Sequence, residues 1–105
     1  MNSNLGLTSN DIKIIQGLLQ SEKAVEQAIV FGSRAKGNYR NGSDVDIALK
    51  GLHLDFRIVT HLSYLLNEET SMPYRFDLIN YQTLNNDALK EHINMVGKEI
   101  YSTQK

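Results

Sequence analysis

A small α+β domain is the fold class this sequence predicts, with a mixed sheet of about three strands, helices covering one face and carboxylates exposed on the other. Three observations predict it. The chain has 105 residues, enough for one compact core and hardly for two, so residues 1–105 are expected to form one domain. Two short apolar runs, AIVF and IAL, flank a loop of small and charged residues, GSRAKGNYRNGSDVD, at positions 32–46. Apolar residues recur at helical spacing both before and after this pair.

Taken in order, Ser9 to Glu22 carries Ile12, Ile15, Leu18 and Leu19 on one stripe, with Thr8 or Ser9 available as an N-cap oxygen. Ala28 to Phe31 is rich in β-formers and stops at Gly32, as a buried strand does. Val45, Ile47 and Leu49 then alternate with Asp44, Asp46 and Ala48, which puts both aspartates on one strand face opposite the core. Ile58, Val59, Leu62, Leu65 and Leu66 form a helical stripe over Asp55 to Asn67, and Met72-Pro73 breaks the chain after it. RFDLINY, residues 75–81, reads as a third strand with Asp77 inside it, facing away from Phe76 and Leu78. Leu84, Ala88, Ile93, Val96 and Ile100 predict a last, less regular helix to about Tyr101, with Gly97 its weak point and STQK a polar tail. No repeat, low-complexity segment or linker interrupts this order.

Composition narrows the function. Eleven Lys and Arg against twelve Asp and Glu leave a net charge of -1, so there is no broad basic field for a nucleic-acid backbone or an anionic membrane. Any anionic ligand must be held locally, and no direct nucleic-acid or membrane binding is expected. Without cysteine there are no disulfides or thiolate zinc sites. The start MNSNLGLTSND lacks the charged-then-apolar pattern of a signal peptide, and the apolar runs are far short of a membrane span, so a cytoplasmic location is expected.

The loop fits neither of two familiar anion and cation motifs. Gly32 and Gly37 have Walker A spacing, but Asn38 and Tyr39 stand where Lys and Ser or Thr are required. Asp44 and Asp46 fall at the first and third positions of a calcium loop, yet Ala48 and Leu49 cannot supply its fifth ligand and its glycine. His53, His61 and His92 are widely separated and are assigned no chemistry, only surface or packing roles.

What remains is Gly32-Ser33, ten residues, then Asp44-Val45-Asp46, with Asp77 in the next strand. This order resembles the signature of the nucleotidyltransferase superfamily that includes DNA polymerase beta, and most closely its small bacterial members, the minimal nucleotidyltransferases (MNT). The resemblance covers nearly the whole chain and implies the polymerase beta-like fold. It implies transfer of AMP from ATP to a hydroxyl by two-metal catalysis, with Asp44 and Asp46 holding magnesium. Asp77 would complete the metal site on the nucleophile side or take the acceptor's proton. Gly32, whose missing side chain lets a phosphate approach the backbone, and the hydroxyl of Ser33 would bind the nucleotide. Arg34 and Ser43 are counted with them, Ser43 also as the residue that shapes the turn into the strand. Lys36 and Arg40 are expected to be solvated cations. The physics agrees with a metal reading: carboxylates about 4 Å apart repel by roughly 1 to 4 kcal/mol per pair, depending on the effective dielectric, and magnesium uses one or two carboxylates together with substrate phosphates.

Relatives of this size resemble the antitoxin half of toxin–antitoxin systems whose partner is a helical HEPN protein, and the resemblance implies AMP placed on a tyrosine of that partner. The chain offers no second apolar unit to wall in base and acceptor, and Tyr64, Tyr74, Tyr81, Met95 and Tyr101 are expected to supply apolar surface for a partner. Two other readings stand beside it: one of different class, a non-catalytic nucleotide-binding or partner-capping subunit, and an enzyme alternative, a transferase acting on a small molecule such as an aminoglycoside.

Overall fold

The computed structural model describes residues 5–103. Helix α1 spans Ser9–Gln20 and starts at Thr8, whose side chain accepts from the Asp11 N–H while the Asp11 carboxylate accepts from the Thr8 N–H. This reciprocal capping box settles the cap on Thr8. Strand β1 (Gln27–Phe31) leads through a one-turn helix α2 (Ser33–Lys36) into β2 (Val45–Lys50). Helix α3 (Phe56–Glu68), capped by Asp55, crosses over to β3 (Phe76–Asn80). A 3-10 turn at Tyr81–Thr83, helix α4 (Asp87–Val96) and strand β4 (Lys98–Ser102) close the chain.

The sheet has the order β3-β2-β1-β4, with β1 antiparallel to both β2 and β4 and β3 parallel to β2. The mixed α+β class is as expected, with a fourth strand in addition. The expected last helix ends at Val96, and Ile100 and Tyr101 belong to β4 rather than to a helical stripe. Gly97 is the change of direction: a Cβ there would strike Ile29 of β1 and the Ile93 carbonyl. Ser102 and Thr103 continue this edge, the Thr103 N–H donating to the Glu26 carbonyl at 3.0 Å. Gln104 and Lys105 of the expected tail lie outside the described residues.

Alternation along the strands makes two apolar layers. Ala28, Val30, Val45, Ile47, Leu49, Phe76 and Leu78 face α1 and α3, where Ile15, Leu19, Leu62 and Leu66 are buried. Ile29, Phe31 and Ala48 face the other way, against Ile93 of α4. Helices therefore lie on both faces of the sheet and not on one alone as expected, because Ile29, Phe31 and Ala48 make a second apolar layer that α4 covers. Tyr74, Tyr81 and Tyr101, expected as partner surface, work inside the domain: Tyr74 and Tyr101 pack on the larger core, and Tyr81 sits under the Lys50 and Lys90 ammonium groups. Tyr64 and Met95 stay exposed, as do Leu52 and Phe56.

Candidate active site

The open end of the second face gathers the acidic residues. Asp46 is paired with Phe31 across the antiparallel β1–β2 ladder and with Asp77 across the parallel β2–β3 ladder. Cross-strand partners share a face and neighbouring strands run about 4.8 Å apart, so Asp46 and Asp77 stand side by side. Asp44 precedes β2 by one residue and is exposed, as is Asp77; Asp46, between them, is half-buried. Burial raises the Asp46 carboxyl above its ordinary range, and the charges of Asp77 and Asp44 raise it further, against a lowering pull from His92. This is the expected cluster of mutually repelling carboxylates.

Among the described residues, no group of three His, Cys, Asp or Glu side chains closes up enough to hold an ion alone. The arrangement suits magnesium nonetheless, because that ion takes one or two carboxylates and completes its shell with water and substrate phosphates.

Gly32 begins the loop beside these carboxylates. Its φ of 78° and ψ of -152° lie in a region open essentially to glycine alone, and a Cβ there would collide with the Asp46 carboxylate. The expected reason for this glycine was approach of a phosphate; the structure adds a second, that Asp46 already occupies the side-chain position. Ser33 follows, half-buried, as the first residue of α2.

Arg34 is not brought into this site. Arg34 is 2% exposed, and its guanidinium donates to the Ser43 carbonyl through Nε and Nη2 (3.2 and 2.9 Å) and to the Leu5 and Gly6 carbonyls through Nη1 (2.9 and 3.3 Å). The rings of Tyr39 and Tyr74 stack on it at 5.2 and 4.8 Å. An expected phosphate contact is thus a buried fastening, because the single turn of α2 carries residue 34 away from the acidic end and under the loop. Ser43 shapes the turn, its hydroxyl accepting from the Arg40 N–H at 2.8 Å. Lys36 and Arg40 are exposed.

His92 is the residue the sequence reasoning missed. It reaches the site from α4, where its Nε2 accepts from the Gly32 N–H at 3.1 Å and its ring meets Phe31 edge-on at 6.1 Å. Leu89, His92, Ile93 and Val96 share one helical stripe, and a histidine within that stripe was the available signal. His53 and His61 are exposed, as surface residues should be.

A family model described as "Polymerase beta, Nucleotidyltransferase" matches residues 13–105. The chain belongs to this nucleotidyltransferase family. The probable protein adenylyltransferase MntA of Haemophilus influenzae is 30% identical to this nucleotidyltransferase over 102 residues, spanning 96% of this chain and 88% of the relative. Among solved structures, a toxin–antitoxin complex with AMP-PNP aligns with a TM-score of 0.72 at 23% identity, over 92% of this chain and 76% of the other. The MNT antitoxin complex with a tri-AMPylated Shewanella oneidensis HEPN toxin gives 0.66 at 21%, over 88% and 70%. At these identities the two structures establish the shared fold, and the nucleotidyltransferase carries its Gly-Ser loop and carboxylates on it.

Proposed function

We propose that this nucleotidyltransferase moves AMP from ATP to a hydroxyl on a helical HEPN-type protein, a tyrosine by resemblance, and so serves as the antitoxin of a two-protein system in the cytoplasm. The observation that carries the catalytic part is the register Asp46↔Asp77 with Gly32 packed against the Asp46 carboxylate, which sets the acidic residues beside the turn that leads into Ser33. Adenylyl transfer and the partner are supported by the similarity to MntA and to toxin–antitoxin complexes.

In the reaction the acceptor oxygen bonds to the α-phosphorus of ATP, the α–β phosphoanhydride bond breaks, pyrophosphate leaves and the hydroxyl proton departs. Asp44 and Asp46 would hold magnesium, and Asp77 would complete that site or receive the proton. When bound, two such ions neutralise phosphate charge and make the acceptor oxygen more nucleophilic. Gly32 admits the phosphates to the backbone, and Ser33 offers its hydroxyl as a donor. A scaffold that only caps a partner has no use for three clustered, mutually repelling carboxylates, which favours catalysis over the binding-subunit reading.

The test is co-expression with a helical HEPN-type protein and mass spectrometry of that protein. An AMP adduct with the intact chain, absent with Asp46→Asn, is expected. No adduct with the intact chain would remove the transferase reading, and an adduct that persists with Asp77→Asn would remove Asp77 from the mechanism.

A further inference from the structure

The contact between His92 and Gly32 joins two parts of the chain sixty residues apart at the point where the loop turns. The Gly32 N–H belongs to the Phe31–Gly32 peptide, the last of β1, so whatever holds that N–H fixes the plane from which the glycine swings into its φ of 78°. An imidazole nitrogen that accepts from an N–H carries a lone pair, which places the proton of neutral His92 on Nδ1.

Three features hold the imidazole in place. Its neighbour Ile93 is 1% exposed in the layer formed with Ile29, Phe31 and Ala48. Gly97 at the end of α4 lets the helix approach Ile29 more closely than any side chain would allow. The edge of the Phe31 ring meets the imidazole at 81°. Helix α4 thus presents Nε2 to Gly32 from a seated position. A histidine serving only to fill space here would need its ring and no acceptor.

Resting on the nucleotidyltransferase reading above, we infer that His92 is a positioning residue for the nucleotide: by holding the Gly32 N–H it sets the posture of the Gly32-Ser33 turn, and with it the backbone and hydroxyl that receive the triphosphate. Helix α4 is then part of the nucleotide-binding apparatus, although its histidine acts through the loop and not on the phosphates.

The experiment pairs two measurements on the full chain: the dissociation constant for AMP-PNP with magnesium, and hydrogen exchange at the Gly32 amide without nucleotide. His92→Phe keeps a ring against Phe31 and withdraws the acceptor. It should weaken AMP-PNP by about five- to tenfold, the scale of one lost hydrogen bond, and speed Gly32 exchange by a similar factor. His92→Gln, whose amide oxygen can reach the Nε2 position, should restore much of both. If His92→Phe fails to fold, His92→Asn, too short to place an acceptor there, carries the same two measurements.

Unchanged affinity in a protein that binds AMP-PNP would overturn the inference, and with faster Gly32 exchange it would leave His92 a mere fastener of α4. Failure of the intact chain to bind AMP-PNP would instead bring down the nucleotide reading and the positioning with it. A normal Gly32 exchange response in that case would show that the fault lies with the ligand and not with the contact.

Discussion

At Gly32 two demands fall on one backbone position, a left-handed φ and the contact with Asp46, and they make separable predictions. Gly32→Ala should cost about 1 to 3 kcal/mol of stability from strain alone and should displace the carboxylate, so both the denaturant midpoint and the transfer rate fall. Ser33→Ala removes at most one hydrogen bond, about 0.5 to 1.5 kcal/mol net, and should weaken nucleotide binding less than any side chain at Gly32 does; the reverse ranking in calorimetric titration would mean that side chain, not backbone, holds the phosphate. Asp46 predicts a trade of a different kind. Its carboxyl is raised in the folded protein by burial, Asp77 and Asp44, so the native state binds its proton more tightly than the unfolded chain does. Stability should therefore decline as pH rises from the ordinary carboxylate range through the raised value, and the full penalty stands at neutral pH. Asp46→Asn removes the ionisation, and should make the fold more stable near neutrality while abolishing transfer, with the gain vanishing in acid. Denaturant midpoints of both proteins across that range check the sign.

Among the elements, the outer edge of β3 depends on one side chain of α3. Asn67 donates from Nδ2 to the Phe76 carbonyl at 3.0 Å and accepts through Oδ1 from the Phe76 N–H at 2.8 Å, doing for this edge what a further strand would do. Asn67→Ala leaves both backbone groups without that partner, and a loss of about 1 to 3 kcal/mol is expected on thermal unfolding, with weaker magnesium and nucleotide binding because Asp77 is the next residue. Elements that declare themselves by local pattern were legible in the sequence: α1, α3, the three strands that carry the site, and the Gly-Ser and Asp-x-Asp motifs. Local pattern failed where tertiary contact decides. Ile100 and Tyr101 extend an apolar spacing that suits a helix as well as a strand, and it is the open edge of β1 that makes them a strand. The stripe expected for α4 included Ile93, which is buried, but also Ala88, which is exposed, and it left out Leu89 and His92, which turn inward beside Ile93. Arg34 stood beside the right serine and looked like a phosphate ligand, since nothing in its immediate neighbours reveals that Leu5, Gly6 and Ser43 are waiting for its donors.

For the molecule as a whole, Arg34 is the tie between the N-terminal segment and the acidic end of the sheet. Its guanidinium holds the carbonyl of the residue before Asp44, while Asp11, which caps α1, accepts from the Tyr74 hydroxyl at 2.9 Å beneath the same guanidinium. Arg34→Met keeps the bulk between Tyr39 and Tyr74 but leaves three carbonyls without their donor, so a loss of at least about 2 kcal/mol is expected. Were Arg34 a phosphate ligand instead, stability would hold and only nucleotide affinity would drop, and comparing the two readouts decides. The same tie has a practical side for handling the protein. Because Arg34 donates to the Leu5 and Gly6 carbonyls as well as to Ser43, a protease that trims the chain back to Thr8 should strip the guanidinium of two of its three carbonyl partners and loosen the turn that leads into Asp44. A preparation trimmed in this way should show a lower denaturant midpoint and a lower transfer rate than the intact chain.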